Sequence, residues 1–327
     1  MTHRYASALL TLAAASWLGA CAQDRAVADT TTDTAAAPTL VERTLMAGAL
    51  EGTLSNAGPG APVMLLVPGS GPTDRDGNGP LIKTNAYRQL AEALAARGVS
   101  TVRVDKRGMF GSAAAGDANA VTAAAYTDDY RAWIDAVRAE TGAPCVYLGG
   151  HSEGGLMVLA TAANDADGVC GLVLIAAPGR PLGTILREQL AAPPNTFLLK
   201  DAEPAIAQLE RGERVDVSEM HTALQGLFAP QVQDFLISML ALQPDALMAE
   251  LDLPVLVLQG DTDIQVSVED ARALEAAGGE LVLLPGVNHV LKTAPKGRLR
   301  NMATYQKPDL PLADGVADAV ADFIRAN

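Results

Sequence analysis

Histidine, cysteine and aromatic residues are scarce in this chain of 327 residues: four His, three Cys, two Trp, six Tyr and five Phe. There is no CxxC pair and no HExxH, so no metal site is expected. Basic residues are also outnumbered. Twenty-four Lys and Arg face 38 Asp and Glu, a net charge of −14, which argues against nucleic acid or an anionic membrane face as partner. Long apolar runs are lacking too, since residues 8–20 fall short of the ~20 needed to span a bilayer as a helix. What the chain does have is 49% hydrophobic residues, enough for one large folded domain with an insertion.

The apolar start reads as a signal peptide, residues 1–20, with Arg4 ahead of the apolar stretch. It ends in Leu18-Gly19-Ala20-Cys21, which resembles the lipobox of bacterial lipoproteins. That resemblance implies acylation of Cys21 and a protein held at the periplasmic face of a membrane, the outer one, since Ala22 is not aspartate. Ordinary cleavage near Ala20 is the alternative. Residues 21–39 are small and polar without hydrophobic period, and read as a flexible tether. Cys145 and Cys170 each precede an apolar run. They either bridge two neighbouring strands or remain buried thiols.

From residue 40 onward, short apolar runs alternate with amphipathic helices. Strands are expected at 63–67, 100–104, 145–148, 172–175, 255–258 and 281–284, and helices at 86–97, 128–140 and 314–325. This order predicts an α/β fold: a mostly parallel sheet with helices on both faces and ligands beyond the carboxyl ends of its strands. Residues 180 to about 250 break the alternation with helical patches separated by prolines, and read as a helical lid inserted in the 40–327 domain.

Directly after the run 145–148 comes Gly149-Gly150-His151-Ser152-Glu153-Gly154-Gly155. Gly150-x-Ser152-x-Gly154 between a strand and a helix start is the nucleophile-elbow pattern, with Ser152 exposed above the sheet edge. A serine hydroxyl needs a base. His3 leaves with the signal peptide, His151 adjoins the nucleophile and should pack beneath it, and His221 lies in the insertion. His289, after the last strand, is the candidate that remains. The acid should precede it: in Gly260-Asp261-Thr262-Asp263, Asp263 is favoured and Asp261 is taken as structural. The oxyanion of an acyl transfer would be met by the backbone N–H of Glu153 and by the loop after the first apolar strand, Pro68-Gly69-Ser70-Gly71-Pro72.

Gly69-Ser70-Gly71-Pro72-Thr73-Asp74-Arg75-Asp76-Gly77-Asn78 resembles a subgroup of bacterial carboxylesterases of the α/β-hydrolase superfamily, similar to the serine aminopeptidase-like S33 hydrolases. The turn Asp105-Lys106-Arg107-Gly108, the Gly-Asp-Thr-Asp stretch with Gln265-Val266, and Asn288-His289-Val290-Leu291-Lys292 carry the same likeness, which runs from about residue 40 to the C-terminus. Pro68 stands where many of the relatives have a histidine before the glycine, which maps the second oxyanion donor to the N–H of Ser70. The resemblance implies an α/β-hydrolase fold with a lid and a cofactor-free esterase acting on a small-molecule ester. Asp74, Arg75 and Asp76 either orient the oxyanion loop or form an ion-paired surface loop, and Asp105–Gly108 reads as a solvated structural turn. The same residues would also serve an aminopeptidase, with Glu203, Glu210, Glu213 and Glu219 as candidates for binding an ammonium. A periplasmic acyltransferase and a non-catalytic lipoprotein binding module complete the alternatives.

Overall fold

The computed structural model describes residues 41–193 and 195–327. The expected signal peptide, Cys21 and the tether lie outside the described residues. The chain enters through an antiparallel hairpin, β1 (Val41–Ala47) and β2 (Leu50–Asn56), followed by β3 (Val63–Val67). A two-residue hairpin, β4 (Asn78–Gly79) with β5 (Ile82–Lys83), precedes α1 (Ala86–Ala95) and β6 (Ser100–Val104). Next come α2 (Ala123–Thr141), β7 (Val146–His151), α3 (Glu153–Asn164) and β8 (Val169–Ile175). The helix expected at 128–140 starts earlier, at Ala123, because the Thr122 side chain accepts the Ala125 N–H and caps it there.

Between β8 and the next strand the described residues carry the helices α4 (Leu182–Ala191), α5 (Leu199–Glu210), α6 (Thr222–Gln225), α7 (Gln233–Leu240) and α8 (Pro244–Ala249). The chain closes through β9 (Val255–Gly260), α9 (Val268–Ala276), β10 (Glu280–Leu284), α10 (Arg298–Met302) and α11 (Val316–Ala326).

Eight strands form one sheet in the order β1-β2-β6-β3-β7-β8-β9-β10, parallel from β6 to β10 and antiparallel at the β1–β2–β6 edge. Alternate residues of the central strands feed two cores. Leu65 and Val67 of β3 and Leu172 and Leu174 of β8 pack with α2, α3 and the inserted helices. Met64 and Leu66, Val173 and Ile175 pack with α1 and α11 on the other face. β3 is apolar throughout, as a strand covered on both faces requires, whereas β6, equally buried, also carries Ser100, Thr101 and Arg103.

Cys145 and Cys170 form a disulfide, with Cα atoms 5.2 Å apart, joining the starts of β7 and β8. The parallel pairing of these two strands brings the thiols together.

After β3 the chain crosses to one side, to β6, and then returns to the other side, to β7. The carboxyl ends of β3 and β7 therefore frame the crevice where the order reverses, the place for a ligand in an open parallel sheet.

Candidate active site

The backbone turns sharply between β7 and α3. Ser152 at the apex has φ 55° and ψ −125°, outside the usual wells of a side-chain-bearing residue. The flanking glycines make the turn possible. A Cβ on Gly150 would come within 2.2 Å of the Gly154 carbonyl oxygen, and one on Gly154 within 2.6 Å of the Pro68 and Val67 carbonyl oxygens. The second contact also shows that the loop after β3 lies directly on the head of α3. A Cβ on Gly69 would meet Ser152 Cβ at 3.2 Å. The Ser152 hydroxyl is buried and has no hydrogen-bond partner among the described residues.

His289 follows β10 on a loop held by the Asn288 side chain, whose Nδ2 donates to Asn301 and Thr304 and whose Oδ1 accepts the Lys292 N–H. Its Nδ1 lies 2.8 Å from Asp263 Oδ2. Asp263 is itself fixed after β9, since its Oδ1 accepts the N–H groups of Gln265 at 2.7 Å and Val266 at 3.0 Å. Asp261 turns elsewhere: its Oδ1 accepts the Gly286 N–H at 2.6 Å and ties the turn after β10 to β9. Of the two aspartates, only Asp263 bonds His289.

His151 packs beneath the elbow within a buried chain of hydrogen bonds. Its Nε2 lies 2.7 Å from the His289 carbonyl oxygen, which can only accept, so Nε2 carries the proton. Its Nδ1 therefore accepts from the Tyr87 hydroxyl at 2.8 Å, and that hydroxyl oxygen accepts the Gly69 N–H at 3.1 Å. Burial, aided by the nearby His289 ring, lowers the His151 pKa to about 3 and keeps the ring neutral. Burial raises the Tyr87 pKa, so its phenol keeps its proton. The chain thus joins the loop after β3 to the backbone of His289. Tyr87 was absent from the sequence-based candidates because an aromatic at a helix start reads as ordinary core.

The residues that follow Ser70 are ion-paired into the edge of the sheet. Arg75 donates through Nε to Asp105 Oδ2 at 2.9 Å, and its own N–H meets Asp105 Oδ1 at 2.8 Å. Arg103, buried in β6, pairs with Asp76 and Glu42. The turn at Asp105–Gly108 is not solvated as expected: Asp105 is 2% and Lys106 4% exposed. Lys106 Nζ donates to the Gly69 carbonyl oxygen at 2.7 Å and lies 3.6 Å from Glu153 Oε1. Burial lowers the Lys106 pKa, and the Glu153 carboxylate opposes that shift.

A cleft open to solvent joins these parts. Ser70, Ile82, Tyr87, Ser152, Gln265 and His289 are among its walls. The walls come from residues 69–87, from the elbow and from 265–290, rather than from the helices at 182–249 that were expected to cover the site. Those helices contribute Val232 and Phe235 to a smaller adjoining cavity that also contains Lys106, Tyr126 and Glu153. His221 lies outside the site, where it caps α6.

The model of the serine aminopeptidase S33 family of hydrolases matches residues 79–293, a span that includes Ser152, Asp263 and His289. The chain belongs to that family. Esterase EstD of Thermotoga maritima is 26% identical over 238 residues, covering 70% of this chain and 54% of EstD. This S33 family member therefore spans about half the length of that curated relative. Est1E from Butyrivibrio proteoclasticus, solved with ferulic acid bound, superposes with a TM-score of 0.53 at 15% identity, covering 87% of this chain and 96% of that one. Proline iminopeptidase from Mycobacterium smegmatis gives a TM-score of 0.53 at 17% identity, covering 88% and 98%. The fold of this S33 family member is that of the α/β-hydrolases, mostly parallel with helices on both faces.

Proposed function

We propose that this hydrolase is a carboxylesterase that acts through an acyl-enzyme on Ser152. The observation that carries the reading is the 2.8 Å bond between Asp263 and His289 in the cleft that contains the strained Ser152. His289, oriented by Asp263, takes the Ser152 proton as the hydroxyl attacks an ester carbonyl, and returns it to the departing alcohol. The N–H groups of Ser70 and Glu153 receive the oxyanion. Water deprotonated by His289 then releases the acid. The Ser152 hydroxyl is unpaired without substrate, and catalytic hydrogen bonds of this kind commonly tighten only in the complex.

Charge favours an ester over an aminoacyl amide. Glu203 and Glu210 both pair with Arg187, and Glu213 pairs with Arg211. Glu219 is exposed and is not among the walls of the cleft. Glu153, in the adjoining cavity, faces Lys106. A substrate ammonium would therefore meet carboxylates already neutralised. The cleft walls, including Ile82, Tyr87 and Val290, suit an uncharged acyl or alkyl group of modest size. The similarity to Esterase EstD supports the same reading.

The location we propose is the periplasmic face of the outer membrane, with residues 1–20 removed, Cys21 acylated and residues 21–39 as tether. The Cys145–Cys170 disulfide supports an oxidising compartment. Fractionation tests this part: Cys21→Ser should move the protein from the membrane to the soluble fraction.

The activity is tested with initial rates on p-nitrophenyl esters of increasing acyl length beside aminoacyl p-nitroanilides. Short esters should turn over with kcat/KM far above the anilides. A preference for the anilides would assign the site to a peptidase.

A further inference from the structure

We infer that Lys106 is a positioning residue of the oxyanion hole, tying together the two backbone segments whose N–H groups receive the oxyanion. The inference rests on the esterase reading above. Lys106 stands two residues after the end of β6, and β6 pairs in parallel with β3, so the carboxyl ends of the two strands bring Lys106 to the loop Gly69–Ser70. There its Nζ donates to the Gly69 carbonyl oxygen at 2.7 Å. That carbonyl and the Ser70 N–H belong to one peptide unit. In a trans peptide they point in opposite directions, so fixing the oxygen aims the N–H. The Ser70 N–H has no backbone partner among the described residues and is free to donate to a substrate. A cation on the carbonyl oxygen also polarises the peptide and strengthens its N–H as a donor.

The preceding peptide is fixed as well, since the Gly69 N–H donates to the Tyr87 hydroxyl. Glu153 completes the arrangement. Its backbone N–H is the other oxyanion donor, and its carboxylate lies 3.6 Å from Lys106 Nζ. Both groups are nearly fully buried, at 4% and 5% exposure. The Tyr126 ring, with its centroid 5.9 Å from Nζ, and Phe235 from the inserted helices line the same cavity. Each member of the pair has its counter-charge, and the ammonium is directed at one acceptor. An ion pair serving stability alone would not need its cation on the oxyanion peptide.

The test compares wild type, Lys106→Met and the double variant Lys106→Met/Glu153→Gln, which removes the unpaired carboxylate that the single change leaves behind. Steady-state kinetics on a short p-nitrophenyl ester are measured with inhibition by phenylboronic acid, which adds to a nucleophilic serine as a tetrahedral mimic. Removal of a true oxyanion donor costs about 10²–10³ in kcat, and loss of its positioning should cost about tenfold to 10²-fold. The expected result is that fall in kcat in both variants, with KM little changed and boronate affinity weakened in parallel. A folded double variant with kcat within twofold of wild type would overturn the inference, as would a loss confined to KM. A double variant that does not fold assigns the pair to stability and overturns it too. Failure of the esterase reading is separate, because it would appear in the wild type, which would then leave the esters intact.

Discussion

The Nε2 of His151 lies 2.7 Å from the carbonyl oxygen of His289, so the residue before the proposed nucleophile holds the backbone of the proposed base. Through Tyr87 the same ring reaches the Gly69 N–H. The turn before Ser152, the backbone of His289 and the loop after β3 are therefore joined by one buried chain of neutral donors and acceptors. Tyr87→Phe removes its middle link. With a net hydrogen bond at about 0.5–1.5 kcal/mol, kcat should fall by about two- to thirteenfold with KM little changed, read by steady-state kinetics. An unchanged kcat would show that the chain only packs.

The same ring makes stability depend on pH. Folded His151 titrates at about 3, against an ordinary value of 6.5. Between these values the unfolded chain binds a proton that the folded chain does not. Stability therefore falls as pH drops from about 6.5 towards 3, by up to ~1.4 kcal/mol per pH unit. His151→Gln keeps a donor and an acceptor but does not titrate, so urea denaturation across that range should show a shallower acid slope for the variant. Equal slopes would assign the acid sensitivity to other groups.

The two neighbouring aspartates should separate cleanly. Asp263→Asn removes the carboxylate that orients His289, and kcat should fall by about 10³–10⁴. Asp261→Asn loosens the Gly286 turn, and should lower stability by about 1 kcal/mol while leaving kcat within about threefold. The reverse pattern in kinetics and urea melts would exchange their roles.

The disulfide closes a loop of 25 residues in sequence. Replacing both cysteines, Cys145→Ser with Cys170→Ser, should lower stability by roughly 3 kcal/mol, measured by urea denaturation under non-reducing conditions. An unchanged midpoint would mean that the bridge adds nothing to the β7–β8 pairing.

How much of this was legible in the sequence depended on how directly a feature is written in local pattern. The internal strands announce themselves as apolar runs because both faces of the sheet are covered, and the elbow is a local motif that needs its glycines. The β1–β2 hairpin escaped because its strands carry polar and apolar residues together, as in Val41-Glu42-Arg43-Thr44, with much of β1 exposed. β4 and β5 have two residues each and no period to detect. Cys145 and Cys170 pair because β7 and β8 are neighbours, an adjacency that spacing alone leaves open. Lys106 was misread for another reason: a charged residue in a turn is ordinarily solvated, and its burial follows from a distant carboxylate and carbonyl that only the tertiary fold supplies.

The central claim is that Ser152 is the nucleophile, and the most direct measurement is the rate of p-nitrophenyl ester hydrolysis by the tether-free domain beside its Ser152→Ala variant. The wild type should turn the ester over, and the variant should lose at least ~10³-fold in kcat with its thermal melt unchanged. A folded Ser152→Ala protein that hydrolyses the ester at the wild-type rate would contradict that claim.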